Sequence, residues 1–145
     1  MNIERKVSLS QIFDKTAQSL ASTLKLRSLR HNMTASNIAN AETPGYKAKK
    51  VDFENALARA IDLEGLRGMS TSDPEHFVVG GGSISNIRAD VYDNPDGATT
   101  NDGNTVDLEN EMATLQENSI LYKAALQLMN KKLGTLKYAA SDGGR

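Results

Sequence analysis

The chain has 145 residues, 39% of them hydrophobic and only 5% aromatic, with no Trp, no Cys and a net charge of −1. That length suits one domain, the few aromatics are thin material for a globular core, and zero Cys excludes disulfides and thiolate metal sites. No apolar run approaches the ~20 residues of a membrane helix, and residues 1–15 lack the apolar stretch of a cleaved signal peptide, so any exit from the cytoplasm must use another route. Charge is unevenly spread. Residues 1–50 hold nine Lys/Arg against three Asp/Glu, residues 51–104 three against ten, and the remainder five against five. Unlike-charged regions of neighbouring copies would attract and set register. Nucleic-acid binding by the basic third is disfavoured, because its cations are scattered and aromatic stacking residues are nearly absent there.

The first predicted element is a helix from about residue 10 to 40, with Ser8 or Ser10 as N-cap. Phe13, Ala17, Leu20, Leu24, Ser28, His31, Ala35 and Ile38 recur at three- and four-residue steps, and Leu26, Leu29 and Met33 add a neighbouring stripe. Arg27, Arg30 and His31 interrupt the apolar face. The helix stops at Thr43-Pro44-Gly45-Tyr46, because proline disfavours helical geometry at Thr43. Pro44 and Gly45 fit the two central positions of a type II turn, Gly45 supplying the positive φ. Asn37 and Asn40 share a face at the end of this helix. They read either as C-capping amides or as exposed amides that bond a neighbouring subunit.

Residues 41–104 read as a turn, a short helix and a flexible arm. Asp52 to Leu63 is the short helix, capped by Asp52, with Phe53, Leu57, Ala60 and Ile61 on one side. The arm carries Gly65, Gly68, Gly80-Gly81-Gly82, Gly97 and Gly103, with turn chemistry at 93–97 and 101–104. Phe77–Val79 and Ile84–Tyr92 suggest a β-hairpin around the glycine run. The last element, residues 105–140, is a long helix capped by Asn104, Thr105 or Asp107. Leu108, Met112, Leu115, Ser119, Tyr122, Leu126, Met129, Leu133, Leu136 and Ala140 alternate steps of four and three, a coiled-coil seam. The expected fold is mainly α: long N- and C-terminal helices packed as a coiled-coil-like hairpin, with a short helix and an irregular arm between them. Each stripe looks under-covered within one chain, so the ends are expected to order when other copies cover them.

Catalytic chemistry has little to stand on. His31 and His76 are the only histidines, and neither a zinc motif nor a phosphate loop occurs. Gly80-Gly81-Gly82-Ser83 lacks the lysine of a phosphate cradle. The acidic 93–102 stretch puts Tyr92 or Ala98 where a calcium loop needs its first Asp. No cofactor and no metal are expected.

Ser36-Asn37-Ile38-Ala39-Asn40-Ala41-Glu42-Thr43-Pro44-Gly45-Tyr46-Lys47 resembles the N-terminal signature of bacterial flagellar rod and hook proteins. Asp102 to Glu109, followed by Glu111-Met112, resembles the entry to the C-terminal helix of that family, and Thr71 to His76 resembles a weaker middle segment. The short length, without an inserted domain, points to a proximal rod member. The resemblance implies a structural, non-enzymatic subunit that polymerises into the periplasm-spanning tube of the basal body and transmits torque. It implies export through the flagellar type III apparatus without a cleaved signal. Its implied partners are further copies, other rod proteins, and membrane-ring and export-gate components, with no nucleic acid and no membrane insertion. The implied assembly residues are Asn37, Asn40, Thr43, Pro44, Gly45, Tyr46, Leu108, Met112, Leu115, Tyr122, Leu126, Met129 and Leu133. The competing reading is a flagellar export or assembly chaperone or adaptor. A chaperone has no need of a fixed turn at a helix end.

Overall fold

A computed structural model describes residues 15–66, 84, 87–95, 97 and 99–142, the side chains of 62–66 excepted. The elements are α1 (Lys15–Ala39), β1 (Lys49–Asp52), α2 (Glu54–Leu66), β2 (Asp90–Asp93) and α3 (Leu108–Asp142). α1 and α3 lie against each other along their lengths, and α1 also supports β1. The architecture is the expected mainly helical hairpin. Ser8, Ser10, Phe13, Phe77–Val79, the Thr71–His76 segment and the glycine run lie outside the described residues.

The middle differs from its expectation. β2 pairs antiparallel with β1, in the register Lys49↔Asp93, Lys50↔Tyr92, Val51↔Val91 and Asp52↔Asp90. The arm therefore returns to the segment that follows the turn. Directly opposite residues on an antiparallel pair interact, and Lys49 Nζ lies 2.6 Å from Asp93 Oδ1. An acidic arm residue thus meets the basic third within one chain. Asp52 is the last residue of β1 and accepts a bond from the Tyr92 hydroxyl. It does not cap α2. Phe53 takes that place, its carbonyl accepting from Leu57 N at 2.8 Å.

The core is small. Leu26, Val51 and Phe53 are buried together, with Met33, Ile87 and Ala89 packed around them. The buried α1 residues are Ala17, Leu26, Thr34 and Asn37. The packed face therefore follows neither stripe as a whole: of the second, Leu26 is buried and Met33 half-buried but Leu29 is exposed, and the polar Thr34 and Asn37 complete the face. Of the longer one, Ser28, His31 and Ala35 are exposed. Arg27 and Arg30 no longer interrupt anything. Their guanidinium carbons stand 5.6 and 4.5 Å from the Phe53 ring centroid, within cation–π range. Arg30 also grips Glu54 with two bonds of 2.5 and 2.8 Å and donates to the Val51 carbonyl. One cation so ties α1 to β1 and to the first turn of α2.

The heptad on α3 splits into two flanks. Asn118 and Ala125 are buried against α1, and Leu115, Tyr122, Met129 and Leu136 are half-buried. Leu108, Met112, Leu126 and Leu133 are exposed. The helices do cover each other within one chain, but along one side of the seam only. A shallow groove of ≈280 Å³ runs beside that contact, lined by Ser28, His31, Asn118, Ser119, Tyr122 and Lys123.

Candidate functional site

The turn after α1 closes as its residues require. Tyr46 N donates to Thr43 O, and Gly45 has φ +71°. The turn does not stand free. Gly45 N donates to Asp102 O at 2.9 Å, Thr105 N to Tyr46 O at 3.1 Å, and Lys47 Nζ to Gly103 O at 3.0 Å. Ala48 N donates to Thr105 Oγ1 at 2.9 Å. The two motifs, sixty residues apart in the chain, form one joint between the end of α1 and the start of α3. Gly103, at φ +80°, brings its backbone against Gly45, where a Cβ would meet Gly45 Cα at 3.6 Å. Gly97 is a second close approach: a Cβ there would meet Thr105 O at 2.7 Å.

Asn104 is the centre of this joint. Its side-chain amide donates to the carbonyls of Asn40, Ala41 and Thr43 at 2.8–3.0 Å. Its Oδ1 accepts from Val106 N at 2.7 Å. A helix end leaves carbonyls without intrahelical partners. Asn104 supplies the donors, and being only 1% exposed it takes no water in exchange. Asp107 then caps α3, Oδ1 accepting from Asn110 N at 3.1 Å.

Asn37 is the second centre, and here the exposed-amide reading is corrected. The residue is 0% exposed and every polar atom is used inside the chain. Its Nδ2 donates to Lys49 O and to Glu111 Oε1 at 2.8 and 3.0 Å. Its Oδ1 accepts from Lys49 N and the Tyr46 hydroxyl at 3.0 and 3.2 Å. A full set of amide bonds is the condition for burying such a group. Asn40 bonds back to Ser36 O at 2.8 Å, a helix-end role. Thr43, Pro44 and Gly45 are exposed and Tyr46 is half-buried. Farther along, Asn118 joins α3 to α1, donating to Arg27 O at 2.8 Å.

Two carboxylates, Glu111 beside Asn37 and Glu54 beside Arg30, are shifted in opposite senses. Burial pushes Glu111 above the usual glutamate range, against the bond from Asn37, and Asp107 reinforces the rise. Burial also raises Glu54, but the bonds from Arg30 and from backbone amides outweigh it and hold that group low. A raised acid stabilises the fold most below its unfolded pKa, and the contribution is lost as pH rises through the folded value. A lowered acid stabilises above its unfolded pKa and loses the contribution as pH falls through the folded value. Chemical denaturation from pH 3 to 7 should therefore show Glu111→Gln removing stability that wild type gains on the acid side, and Arg30→Met removing stability at neutral pH. Parallel profiles for wild type and both variants would contradict the assignment.

Gly45 offers a cleaner measurement. Nothing stands within 4 Å of a Cβ built there. The cost of a side chain is then the backbone alone, about 1–2 kcal/mol. Gly45→Ala should lose about that much stability in thermal unfolding, Gly45→Val more because a β-branched residue tolerates positive φ worst, and Gly45→Asn least; a loss for asparagine as large as for valine would mean that packing, not φ, fixes the glycine.

What the arrangement makes is a rigid corner between two helices, together with an uncovered apolar flank on the longer one. This defines a helical assembly subunit. Among the described residues no cluster of three His, Cys, Asp or Glu is placed to hold a metal, and no helix is long and apolar enough to cross a membrane. The family profile "Flagella basal body rod protein" matches residues 18–47, nearly all of α1 and the turn that follows it. The chain is 37% identical over 124 residues to the flagellar basal body rod protein FlgB of Aeromonas hydrophila, covering 86% of this chain and 91% of that one. The FlgB of Bacillus subtilis is 32% identical over 139 residues, covering 91% and 98%. The FlgB of Cereibacter sphaeroides is 39% identical over 119 residues, covering 82% and 88%. The chain belongs to the FlgB family of flagellar basal body rod proteins. It is a structural subunit of the rod.

Proposed function

We propose that this subunit sits in the proximal part of the rod, built in beside further copies and other rod proteins, and that it carries torque passively. The supporting observation is the uncovered flank of α3: Leu108, Met112, Leu126 and Leu133 stand in heptad register on a helix already paired on its other side. Single exposed leucines need no explanation, whereas an aligned row of them does. The named assembly residues divide accordingly. Leu108, Met112, Leu126 and Leu133 meet neighbours, with the half-buried Leu115, Tyr122 and Met129 backing them. Thr43, Pro44 and Tyr46 present the corner, and Asn37 and Asn40 act only by holding it. Export without signal cleavage, and contact with membrane-ring and export-gate components, belong to the same reading. The chaperone alternative loses ground because the corner is rigid and internally bonded. Catalysis has no part in the proposal. Imaging of a tagged copy in purified basal bodies tests it: label at the membrane-proximal end of the rod is expected, and label absent from the rod would overturn it.

A further inference from the structure

β2 has one partner strand and one open edge. Asn94 N donates to Ala48 O at 2.8 Å, and antiparallel bonding recurs at every second residue, so Tyr92 and Asp90 continue the ladder to β1. The backbone groups of Val91, and of Ala89 before it, then point away from β1. The far edge of β1 is already satisfied: Asn37 bonds Lys49 N and O, and Arg30 bonds Val51 O. The far edge of β2 has no such cover among the described residues, and all four β2 residues are exposed. Burial alternates from Ile87 to Asp90. Ile87 and Ala89 are half-buried against Leu26, Val51 and Phe53, whereas Arg88 and Asp90 are exposed. A period of two is extended backbone, so the open edge begins before β2 itself.

Ile87-Arg88-Ala89-Asp90-Val91 is complementary to its own reverse. Laid antiparallel on a second copy about Ala89, Ile87 of each faces Val91 of the other, and Arg88 of each faces Asp90 of the other. The odd-numbered residues that meet are those with outward backbone groups, so charge and bonding select the same register. Within one chain Asp90 stands directly opposite Asp52, a destabilising like-charged pair. Asp52 is relieved by the Tyr92 hydroxyl and by Arg30 at 3.8 Å. No hydrogen bond or ion pair engages the side chain of Asp90 or of Arg88 among the described residues. A cleft of ≈550 Å³ beside them, lined by Asp52, Glu54, Arg59, Asp90 and Tyr92, has room for an arriving guanidinium. Arg59 is engaged by Asn55 O of its own helix at 3.2 Å. In this register like charges meet only on the longer diagonals.

We propose that the arm edge, residues 87–91, pairs antiparallel with the same edge of a second copy about a two-fold axis, joining two small sheets into one. The inference goes beyond the rod-subunit reading. A two-fold contact closes on itself, whereas a tube that extends by adding subunits needs contacts between two different patches. The pair therefore belongs to the free subunit and opens before incorporation. Main-chain bonds supply the affinity, as in other strand additions to an open edge. The exposed Arg88–Asp90 pairs are weak one by one and select the partner and the register.

Sedimentation equilibrium of the purified full chain should show a reversible monomer–dimer equilibrium. Arg88→Glu sets acid against acid across the seam and Asp90→Arg sets cation against cation, so each alone should weaken dimerisation several-fold. Mixed in equal amounts, the two variants face each other with opposite charges at both positions and should recover wild-type association. A mixture no better than its parts would overturn the register. Association that persists undiminished in both single variants would belong to another face, such as the exposed flank of α3, and would overturn the proposal. So would a wild-type chain that stays monomeric at millimolar concentration, and species larger than dimers would overturn the two-fold geometry. If either variant fails to unfold cooperatively, amide exchange of the wild-type chain decides: Ala89 and Val91 should gain protection as concentration rises, and concentration-independent exchange rules the contact out. A chain missing from basal bodies would refute the rod reading and leave this contact standing.

Discussion

Asn104→Ala should lower the folding stability by about 3 kcal/mol, the largest loss expected from any single polar substitution in the chain. The side chain donates to three carbonyls and accepts from one amide, all away from water. Alanine leaves those backbone groups buried and unpaired, at about 1–3 kcal/mol for each group that water cannot reach. The damage is also mechanical. The carbonyls of Asn40, Ala41 and Thr43 belong to the turn, and Val106 leads into α3, so the variant loosens the angle between two helices as well as their ends. Asn37→Ala should cost nearly as much for the same reason, through Lys49, Tyr46 and Glu111. The two losses should add less than fully, since both asparagines hold the same corner. Asn110→Ala is the control: its amide makes only one weak bond, 3.4 Å to the capping Asp107. Urea denaturation of the purified chains gives the comparison. A loss below 1 kcal/mol for Asn104→Ala would mean that water replaces the amide and that the joint is not rigid.

Both long helices and the turn were legible because they are local, although the face that α1 buries was not. Heptad steps, proline and a glycine that must take positive φ act on neighbouring residues, and α1, the Thr43–Tyr46 turn and α3 follow them. The joint was not legible in the same way. Nothing in a stretch such as Asp102-Gly103-Asn104-Thr105 says that its amide will cap a helix that ended sixty residues earlier, so Asn104 read only as a candidate N-cap. The pairing of two asparagines with a fixed turn was a signal of importance, and it pointed outward to a neighbour where the bonds run inward. β1 escaped because four residues with one buried side chain, Val51, show no period. Arg27 and Arg30 looked misplaced on an apolar face for a related reason: the Phe53 ring that receives them comes from beyond the turn. The heptad itself hid one distinction. A row of apolar residues states that a helix has a wide sticky face, but not which half of that face its own chain will cover.

That division makes Leu126→Asp the sharpest substitution available. Leu126 is 40% exposed, on the flank that adjoins the buried Asn118 and Ala125. In the isolated chain an aspartate there reaches water, and the cost is helix propensity plus the partial burial the leucine gives up, about 1–2 kcal/mol. In an assembled rod the same carboxylate would be stripped of water against apolar side chains, with no partner to bond it, a penalty of several kcal/mol. The expected result is a chain that folds and is exported at wild-type levels yet fails to enter basal bodies, leaving cells non-motile. Ala125→Asp, one residue earlier, should behave differently. It forces a charge into the α1–α3 contact, and the chain should lose thermal stability before assembly is ever tested. Motile cells carrying normal amounts of the Leu126→Asp chain would show that the exposed half of the seam stays exposed in the rod. An unfolded Leu126→Asp monomer would show that this leucine belongs to the chain's own core.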